Sequence, residues 1–535
     1  MPDLLHSLQG HDLGYLRIVA ELWGFELQAK DRIGGMREIA AAAGDARSMA
    51  ELIETLRPSA REALSALKQA GGRIPWAVFS RQFGDIRDVG AARRDREKPY
   101  LKSESVAEDL FYRALLGRAF FETAEGVQEF AYIPDDCLAM IRDHLPHPEP
   151  QAAEPLGRRA ERAEIISAVP ATDRILEDAT TLLAALRIDH PAPEDPVLRS
   201  LLESAGILKQ GIPQSAAVRG FLEQPRSEAL RMLVNAWISS DTFNELRLMP
   251  GLICEGAWAN QPRATRHFLL SQLELVPPRT WWSVQAFVAG IKQHHADFQR
   301  PAGDYDSWFI RSAADGSYLR GFSSWDQVDG ALVRFLITNV MHRLGILELA
   351  GPGEGKPPTS FRRPEVLSQP ARPSSPEDGR LHITSQGRIT APNRVARAVR
   401  YQLARFCEWD DPGAVDYRYH ISPRALERAS KQGLKVAQLV NLLARHGDAG
   451  IPSPVTKALR RWEAAGTEAR TEAQVVLRVK RPEILKELRK SKAAKYLGEP
   501  LGPTTVIVKG GAMRKVAEAM IELGVLLEDK TDSSN

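Results

Sequence analysis

The side chains in this sequence with the clearest chemistry are cations at helical spacing. Arg394, Arg397, Arg400 and Arg405 recur along one stretch, and Lys486, Arg489, Lys490 and Lys492 along another. Arg93, Arg94 and Arg96 stand in the run Arg93-Arg94-Asp95-Arg96-Glu97-Lys98. Guanidinium and ammonium groups repeated along one helix face meet phosphates with charge-assisted hydrogen bonds, so the chemistry they suggest is contact with a nucleic-acid backbone. Each set has a plainer reading as a solvated polar face. For the run at 93–98 that plainer reading, a solvated loop, is preferred because the run contains two acids.

Other chemistry finds less support. Gly351-Pro352-Gly353-Glu354-Gly355-Lys356 resembles a phosphate-binding loop, but the first required glycine falls on Ala350 and the required Ser/Thr on Pro357. Pro357-Pro358 also forbids the helix such a loop needs. His294 and His295 are adjacent and so face about 100° apart, without a third ligand placed beside them. His382, His420 and His446 lack partners at ligand spacing. Asp410-Asp411 and the pair Asp304/Asp306 fall at turns, where capping is the usual role of an acid. Tyr305, Trp308, Trp281 and Trp282 could stack on bases, but beside apolar stripes they read as core. Cys137, Cys254 and Cys407 are far apart and show no CxxC spacing, which fits a reducing compartment. No catalytic constellation, metal or cofactor is expected.

The cations belong to a pronounced charge asymmetry. Between Gly379 and Lys515 there are 27 Lys and Arg against 12 Asp and Glu, a formal +15 in a chain whose total is +3. The remainder is therefore an acidic body of −12. Such a split points to an anionic partner for one part of the molecule. The 535 residues, 43% apolar and 26% charged, are enough for several globular domains. The opening MPDLLHSLQGHDLGYLRI has no basic n-region or long apolar run, so no signal peptide is expected there. No apolar run reaches the roughly 18 residues of a membrane span, and a cytoplasmic location is expected.

Helical periodicity begins at Asp12, with Leu16, Val19, Ala20 and Trp23 on one stripe. From Pro58 the pattern predicts three helices (from Pro58, Trp76–Gln82, Glu104–Leu116), then two strands, Ala119–Thr123 and Glu129–Ile133, around the turn Glu125-Gly126. That is the order of a winged helix. The Pro-rich stretch His144–Glu154 reads as a linker. Helices are expected at Thr172–Leu186, Pro196–Ser204, Pro225–Ser239, Pro277–His294 and Trp325–Leu344, the last closed by Gly345. Ala350–Asp378, rich in Gly, Pro and Ser, reads as a flexible linker.

Inside the basic stretch, Leu381–Thr384 and Ile389 predict a hairpin, followed by a helix from Asn393 to about Trp409. Its apolar face holds Val395, Ala398, Val399, Leu403 and Phe406, and the four arginines are expected opposite, toward solvent. The strand Tyr417–Ile421, the capped helix after Ser422-Pro423, and the helices Leu434–His446 and Ile451–Trp462 follow. The strand Ala473–Val479, the helix Glu483–Leu497, the strand Thr505–Val508 and the helix Ala512–Leu523 complete the pattern.

These segments carry a resemblance. Leu381-His382-Ile383-Thr384, Tyr417-Arg418-Tyr419-His420-Ile421-Ser422-Pro423-Arg424-Ala425-Leu426, Gly433, Gly450-Ile451-Pro452 and Val475-Val476-Leu477 together resemble the N-terminal domain of the XPB repair and transcription helicase. Phe298-Gln299-Arg300-Pro301 and the segment Trp325–Leu332 resemble stand-alone bacterial helicase-associated proteins that carry that domain. The resemblance implies an accessory domain engaged with DNA and protein partners. It does not carry the motor, because neither a Walker A motif nor a DExD/H box is present.

The sequence therefore predicts a mainly helical α+β protein: tandem winged-helix-like units followed by a basic XPB N-terminal-like domain. The expected divisions are 1–145 (helical with winged helix), 146–262 (helical), 263–350 (winged-helix-like), 351–378 (linker) and 379–530 (basic domain). The expected function is non-catalytic nucleic-acid binding in repair or transcription, on DNA and in particular duplex DNA, with the cations named above on phosphates. The alternative is a protein adaptor that docks a helicase or nuclease. No membrane partner is expected.

Overall fold

In the computed structural model the described residues are 1–123, 126–141, 145, 154–191, 194–300, 302–367, 376–410, 416–471 and 473–528. About 49% of the chain is helix and 14% strand, the strands lying in small antiparallel sheets, as the expected mainly helical α+β class requires. There are two compact units. The first comprises Met1–His382, Ile389–His420 and His446–Asp448, and the second Ile383–Arg388, Ile421–Arg445 and Ala449–Asn535. The expected domain 379–530 is thus divided, its arginine-rich helix belonging to the first unit.

After the short helix Leu4–Ser7, the first unit continues with helices Leu13–Leu22, Arg32–Ala43 and Ala46–Thr55. Asp12, Asp31 and Asp45 cap them, each carboxylate accepting from a backbone N–H in the first turn. Helices Pro58–Gln69, Trp76–Phe83 and Val106–Tyr112 then pack with a sheet in which Gly126–Tyr132 is central, between Arg73–Pro75 and Gly117–Thr123. The expected helix Glu104–Leu116 stops at Tyr112, because Ala114 takes a left-handed φ of 52°. Of the run at 93–98, expected as loop, all but Lys98 lie in the helix Ala91–Glu97. Of the expected turn, Gly126 pairs with Thr123 and Glu125 lies outside the described residues. Most of the linker expected at 144–154 also lies outside them.

The middle of the unit keeps the expected helices, with ends at Ile175–Ile188, Pro196–Ser204 and Arg226–Ser239. The helix expected from Pro277 starts only at Val284, because Trp282–Ser283 is a strand paired with Ser360–Phe361. That pairing corrects the linker reading. Glu348–Gly351 and Ser360–Arg362 are neighbouring strands of a four-stranded sheet, with Ala350, Ser360 and Phe361 fully buried. The glycine-rich composition belongs to the turn between these strands, and residues 368–375 lie outside the described set. The resembling segments at 298–301 and 325–332 meet in a buried polar contact. Gln299 Nε2 donates to Asp329 at 2.6 Å and Arg300 Nε at 3.2 Å, while Trp325 Nε1 donates to the Ala296 carbonyl at 2.9 Å. Arg300 lies over the rings of Trp308 and Tyr305, which are core residues as expected. The expected long helix Trp325–Leu344 is in fact the α-helix Asp329–Phe335 continued by π-helical turns over Leu336–Met341.

In the second unit, Ser422 caps the helix Pro423–Lys431 by accepting from Ala425 N at 3.1 Å, and Gly433 leaves it at φ 77°. The helix Ser453–Ala465 leads to a module of alternating strands and helices. Its order is strand Val475–Arg478, helix Pro482–Lys490, 3-10 turn Lys492–Tyr496, strands Leu497–Gly502 and Thr505–Val508, and helix Met513–Glu522. Thr505–Val508 is the central strand. Strand alternation gives one sheet face, with Leu477, Val506 and Val508, to a core completed by Leu485, Leu488, Val516 and Met520. The helix expected to reach Leu497 ends at Lys490, where Ser491 accepts from Ala493 N and starts the 3-10 turn. The strand after it has no counterpart among the expected elements; register shifts at Pro500 let it pair.

Leu488 is fully buried at the centre of this core. Leu488→Ala should lower the stability of the second unit by about 2–5 kcal/mol. Native-state hydrogen exchange should show the loss in amides of 475–523.

Candidate nucleic-acid interface

The arginine helix, Arg397–Phe406, is not a solvated face. Arg397 and Arg400 are 0% and 2% exposed, a correction to their expected outward position. Arg397 Nε lies 2.8 Å from Glu377, and its Nη2 donates to the Gln224 carbonyl at 2.7 Å. Arg400 lies 3.0 Å from the Glu177 carboxylate and donates to the Glu177 carbonyl at 2.6 Å and to Thr181 Oγ1 at 2.8 Å. Glu177 also meets Arg226 at 2.6 Å, and Arg226 reaches Asp173 at 2.8 Å. Burial works against the charged form of Arg226, but the Asp173 and Glu177 carboxylates outweigh it and hold its pKa above the ordinary value. A helical wheel finds the apolar side of this helix, yet it cannot see acids brought in from 173–177 and 377.

The other two arginines of the set differ. Arg394 is exposed and paired with Asp378 at 2.6 Å. Arg405 is half-buried, its Nη1 donating to Gln402 at 3.1 Å, and burial lowers its pKa. The three arginines of the run at 93–98 are paired where they stand. Arg93 pairs with Glu97 at 2.9 Å, Arg96 lies 3.5 Å from Glu97, and buried Arg94 pairs with both Asp12 and Asp95 at 2.8 Å.

The module 475–515 has the opposite character. It holds eleven Lys and Arg against three acids, and all eleven are exposed. Among the described residues only one of the eleven, Arg514, has an ion pair, with Glu518 at 3.7 Å. Lys486, Arg489 and Lys490 fall on one face of the helix Pro482–Lys490, away from buried Leu485 and Leu488. Lys492 starts the 3-10 turn that follows. At the end of that turn Lys495 and Lys515 lie 5.0 and 5.1 Å from the Tyr496 ring, and Lys509 Nζ donates to the Lys495 carbonyl at 2.9 Å. The Lys515 ammonium, and after it Lys495, hold the half-buried Tyr496 phenol below its ordinary pKa. Four cationic positions chosen from the sequence thus lie on this module. Lys509 and Lys515 were missed because they flank the last strand and helix instead of repeating along one helix.

Little else in the described residues is arranged for reaction. No group of three or more His, Cys, Asp or Glu is placed to hold a metal among them. His420 Nδ1 lies 2.6 Å from Asp410, and His382 Nδ1 2.9 Å from Asp448. Burial pushes the Cys137 thiol well above its ordinary value. The glycine-rich segment at 351–356 turns between two strands instead of leading into a helix. No described helix is long and apolar enough to cross a membrane.

A family described as "Helicase conserved C-terminal domain" matches residues 381–500. The chain thus carries a helicase-related domain over the stretch that includes the arginine helix and the larger part of the cationic module. No curated protein matches the chain.

Two outcomes follow from the pairings. Glu177→Ala leaves Arg226 and Arg400 buried without their shared carboxylate and should cost about 3–5 kcal/mol in equilibrium unfolding. Burial pushes the Asp12 carboxyl up, but Arg94 outweighs it and the folded-state pKa lies below the ordinary value. The stabilisation is then present above the unfolded pKa and lost as pH falls through the folded one. The stability difference between wild type and Asp12→Asn, measured by denaturant titration, should be open at pH 6 and close at acid pH below about 3.9.

Proposed function

We propose that the protein binds nucleic acid, duplex DNA in particular, through the cationic module at 475–515, as an accessory factor that does not itself catalyse a reaction. The observation that carries this is the set of eleven exposed cations with a single ion pair among them in the described residues. Unpaired ammonium and guanidinium groups keep their charge available for phosphates, whereas Arg397 and Arg400 have spent theirs inside the fold. Lys486, Arg489, Lys490, Lys492, Lys495, Lys509 and Lys515 are the proposed phosphate contacts. The helicase-related match over 381–500 and the resemblance to the XPB N-terminal domain support a role beside a helicase in repair or transcription. In this reading the winged-helix order of residues 58–132 does not read DNA, since the arginines of its basic run are paired with acids and its third helix buries Glu108 and Asp109.

A second reading, a docking surface for a helicase or nuclease, is favoured by one feature. Phe120 and Val127 are 70% and 65% exposed on the same open face of the hairpin. Phe120→Asp with Val127→Asp should then abolish recovery of such a partner from nuclease-treated extract.

For the primary reading, fluorescence anisotropy with duplex, bubble and single-stranded DNA across a salt series is the test. Binding at ~50 mM salt should weaken steeply as salt rises, and each phosphate contact removed should lower the log–log slope by about 1. Lys486→Ala, Arg489→Ala and Lys490→Ala combined should therefore weaken binding and flatten the salt dependence. Absence of binding to all three DNAs at low salt contradicts the proposal.

A further inference from the structure

The first unit contains a cavity that phosphate binding leaves unused. It measures about 320 Å3 and is walled by Ala184, His190, Arg400, Trp409, Tyr417 and Tyr419 among others. Its lining is mainly apolar and aromatic. Trp409 is stacked on His190 with ring centres 4.6 Å apart and meets Tyr419 edge-on at 6.4 Å. The Arg400 guanidinium lies over Tyr417, its carbon 3.8 Å from the ring centre.

Hydrogen-bond donors remain unspent around this aromatic wall. Both Nη atoms of Arg400 are engaged by Glu177 and Thr181, but its buried Nε–H has no acceptor. The hydroxyls of Tyr417 and Tyr419 make no hydrogen bond to the described residues but keep some access to solvent, so Arg400 Nε is the buried donor at this wall that lacks an acceptor. Burial raises both phenols above their ordinary pKa, so both remain donors at neutral pH. A buried donor without an acceptor is costly, and an occupant with acceptor atoms would relieve that cost. The volume lies at the low end of the roughly 300–1,000 Å3 typical of ligand pockets, room for one ring system and not for an oligomer. A nucleobase combines the required properties: flat apolar faces, with ring nitrogens and carbonyl oxygens at its edge.

We propose that this cavity binds a single nucleobase, stacked against the aromatic wall of Trp409, Tyr417 and Tyr419 and held at its edge by the Arg400 Nε–H. The base comes either from a free nucleotide or from an unpaired residue of a nucleic-acid strand; the recognising chemistry is the same. The site stands on its own residues and does not depend on the cationic module.

Calorimetric titration of the full chain with AMP, GMP, CMP and UMP tests it, with ribose 5-phosphate as the base-free control. At least one mononucleotide should bind with a Kd at or below ~1 mM, and ribose 5-phosphate should not. Ala184→Leu, which fills the cavity, and Trp409→Ala, which removes a wall, should each weaken binding at least tenfold. Lys495→Ala with Lys515→Ala should leave it unchanged, separating this site from the phosphate surface. A duplex with one unpaired base and the same duplex with an abasic residue there distinguish the sources. Tighter binding of the first duplex that disappears in Ala184→Leu identifies a strand-derived base. The proposal is overturned if no mononucleotide binds and the two duplexes bind alike, or if base-dependent binding survives both cavity variants.

Discussion

Glu177 is buried between two guanidinium groups, Arg226 at 2.6 Å and Arg400 at 3.0 Å, and Glu377 continues the cluster to Arg397 at 2.8 Å. Desolvating such groups is costly, and their mutual attraction offsets the cost only while every partner is present. The cluster therefore fixes the arginine helix against Ile175–Ile188, because any other packing would leave a buried charge alone. Through that helix it also places Arg400 beside Tyr417 and so shapes the aromatic cavity.

The same interaction sorts the charge of the chain. The acidic body absorbs the arginines nearest to it, at 94, 397 and 400, and those cations become structural. Among the described residues, exposed cations without an ion pair are densest at 475–515, where the module's own core is apolar and needs no charge, though others stand between 388 and 470. A formal charge of +15 over 379–515 is therefore two populations of cations with different roles, even though they are continuous in sequence.

Local pattern made much of this legible. The capped helix at Ser422-Pro423, the left-handed Gly433, the hairpin before Tyr132 and the strand at Thr505–Val508 all follow from short-range rules of capping, turn chemistry and alternation. The misses have a common physical cause, which is that a distant partner decides the outcome. Ser360–Arg362 is a strand because Glu348–Gly351 and Trp282–Ser283 pair with it, and its Gly- and Pro-rich neighbours hide that. Arg397 and Arg400 are buried because acids more than twenty residues away, or about twenty, come to meet them. Lys486, Arg489 and Lys490 were readable because nothing distant competes for them.

The division between structural and available cations can be read directly by hydrogen–deuterium exchange of the full chain with and without duplex DNA at low salt. The account predicts DNA-dependent protection in peptides covering 482–515 and unchanged exchange across 397–406. Protection confined to 397–406, with 482–515 unaffected, would contradict it.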